Sequence, residues 1–299
     1  MNATGTGSAA GTGRGGALLE IDAAEFARSF DRRPFLVGHR LATHELFALP
    51  RLVELAKRLP PKSVEYNAGD IAIGQDPSRT PQTGLSVEET IRRIEDCRSW
   101  LVLKNIEQDP EFRALLDACL DEVEAHSEAV DPGMCDREGF IFVSSPGSVT
   151  PYHMDPEQNF LLQVRGLKQV SLFDRGDRAV VSEEQIEDML TGKPRNMPWR
   201  EEMQAHGQVF ELTPGKGLHF PCAFPHWVKN GPEVSISFSI TFRTRSTERR
   251  AAVHAFNARL RRRGVAPGSV GSSPARDALK SVAERGLSRV ERILRRRKG

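Results

Sequence analysis

Between residues 139 and 243 the apolar positions fall in short runs. GFIFVSS, NFLLQV, LKQVSLF and VSISFSITF are rich in β-branched and aromatic residues and are separated by Gly, Pro and Asp, which predicts strands joined by turns. The last run alternates strictly: Val234, Ile236, Phe238, Ile240 and Phe242 share one face, and Ser235, Ser237, Ser239 and Thr241 the other. That small polar face either lines a cavity or meets water. Asn159 to Val164, Arg165-Gly166 and Leu167 to Phe173 read as a hairpin, and Ser182 to Leu190 as a helical insertion. Many short strands with short turns predict a sandwich or barrel.

The flanks read differently. Residues 1–16 hold six glycines and no large apolar side chain, and are expected to be a disordered tail. Residues 17–130 mix helices with short strands. Ser86 and Glu89 form a capping-box pattern, and Asp109-Pro110 opens a helix whose Phe112, Leu115, Leu116, Cys119, Leu120 and Val123 make one apolar stripe. Helical patterning returns after Thr244, near 246–263 and 275–297, across the linker GVAPGSVGSSP. In the second stretch Leu279, Val282, Gly286, Val290, Ile293 and Leu294 form a narrow stripe flanked by arginines, suited to a partner helix; folding back and pairing between chains are both open.

The 299 residues carry a net charge of only +2, but residues 243–299 hold 17 basic and four acidic side chains, so an acidic body of net −11 carries a basic tail of net +13. The tail admits nucleic acid without specifying it. No apolar run reaches the roughly 18 to 20 residues that span a bilayer, and the N-terminus has no apolar signal-peptide stretch, so the expected location is the cytoplasm. Four scattered cysteines, with no C-x-x-C pair, suggest neither a disulfide framework nor a thiolate zinc site.

Within SVTPYHMDPEQNF, His153 and Asp155 stand two apart in extended chain, so their side chains project to the same side and are able to share an ion. His226, in PGKGLHFPCAFPH, is the third candidate. Two imidazoles and one carboxylate make the facial triad of non-haem Fe(II) sites, which leaves coordination positions open. Lys168 shares its strand parity with Val170 and Leu172, which predicts an inward ammonium; it needs an anion or snorkels to the barrel mouth.

SVTPYHMD, EQNFLLQVRGLKQ and PGKGLHFPCAFPH together resemble the JmjC and cupin-like Fe(II)/2-oxoglutarate oxygenases, and among them the asparaginyl hydroxylases, over about residues 140–242. The resemblance implies a double-stranded β-helix, or jelly-roll, with a helical N-terminal elaboration and a C-terminal helical extension. Its divisions are a tail at 1–16, an oxygenase domain at 17–245 with its barrel at about 139–243, and a basic helical extension at 246–299. It implies His153, Asp155 and His226 as iron ligands, Lys168 as the cation on the distal carboxylate of 2-oxoglutarate, and Thr150 and Asn159 as further co-substrate contacts. The implied reaction consumes O2 and 2-oxoglutarate, hydroxylates a substrate C–H bond and releases succinate and CO2. A homodimer through the C-terminal helices is also implied.

Two positions depart from the family pattern: Lys216 stands where Asp is usual, and His219 where Tyr or Phe is usual. His219 is expected to be a satisfied half-buried histidine, with pocket lining, a hydrogen bond to the co-substrate or competing ligation as alternatives. Trp227 and Phe224 are candidate apolar walls of the site, or plain core. The expected substrate is a protein or peptide side chain, with a small metabolite as the other choice; two tyrosines and three tryptophans offer no visible methyl-lysine cage. A metal-binding cupin of another chemistry without 2-oxoglutarate, and a non-catalytic interaction protein with a basic tail, are the rival classes.

Overall fold

The alternating segment at 235–243 is buried on both faces. Its odd-numbered Ser and Thr side chains turn into a barrel, and Ile236, Phe238, Ile240 and Phe242 pack against helices. In the computed structural model, which describes residues 16–76 and 79–296, the strands are β1 (Leu19–Glu20), β2 (Phe35–His39), β3 (Val64–Ala68), β4 (Ser99–Lys104), β5 (Cys135–Ser144), β6 (Val149–His153), β7 (Gln158–Arg165), β8 (Lys168–Leu172), β9 (Gln208–Leu212), β10 (Lys216–Phe220), β11 (His226–Asn230) and β12 (Ser235–Arg243). The helices are α1 (Ala23–Ser29), α2 (Leu49–Arg58), α3 (Val87–Arg92), α4 (Pro110–Ser127), α5 (Glu183–Leu190), α6 (Arg245–Arg261) and α7 (Pro274–Arg296). Of the tail read as disordered, all but Gly16 lies outside the described residues.

The strands form two antiparallel sheets, ordered β1-β2-β10-β7-β12-β5-β4-β3 and β6-β11-β8-β9, which face each other as a jelly-roll with flanking helices. The segment before residue 130 thus adds four strands to the large sheet as well as α1 to α4. The apolar stripe of α4 is buried entirely against the outer face of that sheet, and Asp109 caps the helix by accepting from the amides of Glu111 and Phe112. The capping box of Ser86 and Glu89 starts α3.

The expected hairpin at Arg165-Gly166 is not one. β7 pairs with β10 and β12 in the large sheet, whereas β8 pairs with β11 and β9 in the small one, so the turn carries the chain from one sheet to the other. Gly166 makes this crossing at φ +72°, and a Cβ there would lie 2.4 Å from the Val234 carbonyl oxygen. Left-handed backbone and the clash act together, so Gly166→Ala is expected to cost about 2–4 kcal/mol in a urea unfolding titration.

Inside the barrel, Leu161, Val170, Leu172, Leu218, Phe220 and Phe224 form an apolar cluster, and a cavity with both apolar and polar walls lies beside it. The excursion between β8 and β9 carries α5 and packs Met189, Met197 and Met203 around Tyr152 and Phe173. α6 and α7 pair through Arg259, which bonds both Glu284 and Glu291. Their contact is polar: Asp277, Lys280, Ser281 and Glu284 of α7 are buried, while Leu279, Val282, Val290, Ile293 and Leu294 are exposed. No helix among the described residues is long and apolar enough to cross a membrane.

Candidate metal centre and its cavity

β6 ends at His153 and β11 begins at His226, and the two residues are direct partners across the small sheet, their rings 4.1 Å apart. Asp155 follows β6, its backbone carbonyl fixed by the Ala223 amide at 2.8 Å. Its Oδ2 lies 3.9 Å from His153 Nε2 and 3.7 Å from His226 Nε2. Each imidazole has its other nitrogen on a backbone carbonyl: His153 Nδ1 on Pro151 at 2.7 Å and His226 Nδ1 on Phe224 at 3.0 Å. A carbonyl only accepts, so both Nδ1 atoms carry hydrogen and both Nε2 atoms face Asp155.

Burial pushes the His226 imidazole down to about 3, so it stays neutral at physiological pH. Burial alone would raise the Asp155 carboxyl, but His153, His226 and Arg195 outweigh it and hold the group below its usual range. Two imidazole nitrogens and one carboxylate oxygen, all converging, fit a divalent first-row metal.

A cavity of about 360 Å3 opens over His153 and Asp155. Trp100, Phe140 and Phe142 form its apolar wall, and Thr150, Asn159, Ser239 and Thr241 its polar one. Asn159 is oriented by the Ser239 hydroxyl, which donates to its Oδ1 at 2.8 Å. Lys168 reaches inward with its Nζ 5.7 Å from the centre of the Phe142 ring; it is 4% exposed and has neither hydrogen bond nor ion pair among the described residues. Burial without a counter-charge brings its pKa down to about 7. Other buried polar atoms nearby also lack partners. These are Trp100 Nε1, Ser144 Oγ, opposite Trp100 across the sheet and two residues from Phe142, and Asn230 Oδ1, opposite Lys168. Two orphaned donors, Trp100 Nε1 and Ser144 Oγ, and an unpaired ammonium are what a bound carboxylate would satisfy, whereas Asn230 Oδ1 is an acceptor.

Residues 77–248 match the cupin-like domain family, more than half of the chain. The chain belongs to that family. Over 144 residues this family member is 26% identical to lysine-specific demethylase 8 of Xenopus tropicalis, a stretch that covers 46% of the chain and 30% of the demethylase. The X-ray structure of E. coli ycfD shares its fold at 18% identity and a TM-score of 0.51, covering 86% of this chain and 62% of that one. A structure of the E. coli ribosomal oxygenase YcfD with cobalt and 2-oxoglutarate is also similar, at 18% identity and a TM-score of 0.47, covering 86% of this chain and 61% of that one. The chain therefore spans under a third of the demethylase and under two thirds of the ycfD chain.

The structure places four of the sequence-derived residues outside the cavity. His219 does not line the cavity: it is fully buried on the opposite face of β10, stacked on Phe30 at 5.1 Å, with Nδ1 on the Asn159 carbonyl. Phe224 belongs to the apolar cluster of the barrel, and Trp227 packs under the α5 excursion with its Nε1 donating to Gln204. Lys216 is exposed at the edge of β10.

Three residues went unnoticed in the sequence: Trp100, Glu157 and Arg195, whose Nη1 donates to Asp155 Oδ1 at 2.7 Å. Trp100 carries a period-2 signal within SWLVLK; Arg195 lies in an irregular stretch with none. A second buried grouping, Glu183, Glu187 and His254, is an ion-pair network, since Arg178 bonds Glu183 and Arg261 bonds both oxygens of Glu187.

Proposed function

We propose that this chain is an Fe(II)- and 2-oxoglutarate-dependent oxygenase that hydroxylates a C–H bond of a protein or peptide side chain. His153, Asp155 and His226 would hold the iron, and Lys168 the distal carboxylate of 2-oxoglutarate, with Thr150 and Asn159 beside it. The observation that carries this is the buried, unpaired ammonium of Lys168 in the same barrel as the triad; a metal-binding cupin of another chemistry has no use for it. Iron(II) with 2-oxoglutarate supplies the oxidising power, since decarboxylation of the oxo acid to succinate and CO2 consumes one atom of O2 and leaves the other for the substrate.

The chain's own residues have defined tasks. The backbone carbonyls of Pro151 and Phe224 fix the imidazole tautomers so that both Nε2 atoms are free to ligate. Lys168 and the Trp100 indole N–H would neutralise and orient the co-substrate carboxylate. Phe140, Phe142 and Trp100 keep that end of the cavity apolar and exclude bulk water.

A side-chain substrate is supported by the cavity opening to solvent over His153 and Asp155, and by the similarity to a lysine-specific demethylase. The exposed apolar face of α7 supports a homodimer through the C-terminal helices, which sedimentation of the wild type would read directly. The functional test is aerobic incubation with Fe(II), 2-oxoglutarate and a peptide library. Succinate formation with one added oxygen atom on a peptide supports the proposal, and formaldehyde release would mark an N-methyl carbon as the target. Absence of succinate under every condition would overturn it.

A further inference from the structure

The two oxygens of Asp155 are not equivalent. Oδ2 faces both imidazole Nε2 atoms, at 3.7 and 3.9 Å, while Oδ1 accepts from Arg195 at 2.7 Å. Arg195 stands 40 residues downstream, in the irregular segment between α5 and β9. That segment is tied to the ligand strand itself: Asn196 bridges to His153, and the Met197 amide donates to the Tyr152 carbonyl at 2.9 Å. Glu157 lies 3.9 Å from the same guanidinium and is held in turn by Arg243 at 3.1 Å. Backbone pairing fixes Arg195 on one side, and two carboxylates fix it on the other.

A carboxylate that gives both oxygens to one ion takes two coordination positions, and a facial triad keeps three positions open only when its carboxylate gives one. A guanidinium on Oδ1 withholds that oxygen and locks the rotation of the group. Resting on the metal reading proposed above, the geometry points to Arg195 as a positioning residue that reserves a single oxygen of Asp155 for the metal and so preserves the open position next to it. The α5 excursion is thereby coupled to the centre, because lifting the segment around Asn196 off β6 withdraws the guanidinium.

Arg195 has a half-exposed side chain, so its removal leaves no core void. The experiment loads wild type, Arg195→Ala and Arg195→Lys with cobalt(II), records the visible d–d spectrum of each, and then titrates 2-oxoglutarate anaerobically. In Arg195→Ala the bands are expected to shift before any co-substrate is added, and 2-oxoglutarate affinity to fall by about ten- to a hundredfold, the range for an outer partner of a metal ligand. Arg195→Lys, which restores a donor to Oδ1, is expected to recover both. If wild type binds cobalt and Arg195→Ala matches it in spectrum and affinity, the positioning role is overturned while the metal centre stands. If wild type binds no cobalt, both fall together.

Discussion

Asp155→Ala is expected to abolish metal binding and succinate formation in a chain that still folds. The substitution removes the only carboxylate of the triad, so two imidazoles remain, one protein ligand and one negative charge short of a three-ligand site. The loss should exceed the about ten- to hundredfold that attends removal of an outer partner. Stability should change little. Asp155 pairs with the half-exposed Arg195, and such pairs are worth about 1 kcal/mol or less, while the backbone bond from Ala223 to the Asp155 carbonyl is untouched. Manganese(II) binding followed by electron paramagnetic resonance, beside far-UV circular dichroism, checks both halves. Wild-type metal affinity in the variant would show that Asp155 is no ligand.

Lys168→Ala is expected to keep the metal and lose the co-substrate, and the wild type should carry the signature of a titrating lysine. With the folded pKa near 7 against 10.5 for an ordinary lysine, the unfolded chain holds a proton that the folded chain lacks between those values. The fold therefore gains stability as pH rises through that window. Binding a dicarboxylate demands the charged form, so 2-oxoglutarate affinity should weaken as pH climbs above about 7, approaching tenfold per unit. Lys168→Arg retains its charge throughout, and its affinity should be flat over the same range. A wild-type affinity independent of pH from 6.5 to 9 would mean that Lys168 does not meet the co-substrate.

Much of this site was legible because the barrel imposes simple rules on sequence. His-x-Asp in extended chain places both side chains on one side, and the parity of Lys168 with Val170 and Leu172 placed it inside the barrel, where it is. The strict alternation of β12 separated a helix-facing set from a cavity-facing set, although periodicity alone did not tell cavity from solvent. Other features follow from the three-dimensional packing. β10 is buried on both faces, so nothing in GLHF tells which face meets the cavity, and His219 proved to face the helices. Arg165-Gly166 has the composition of a hairpin turn, and only the pairing of β7 and β8 with different partners makes it a crossing between sheets. Trp100 sits on a strand that precedes the barrel core by some forty residues, and its place in the wall depends on β4 extending the large sheet beside β5. Arg195 reaches Asp155 from a segment without periodicity, a contact no local pattern encodes.

The most direct test of the account is anaerobic calorimetry of 2-oxoglutarate into the wild-type chain, with and without one equivalent of manganese(II). The account predicts binding in the micromolar range that requires the metal, since the triad and Lys168 must act on one molecule together. Absence of binding to the metal-loaded chain, or binding of equal strength without metal, would contradict it.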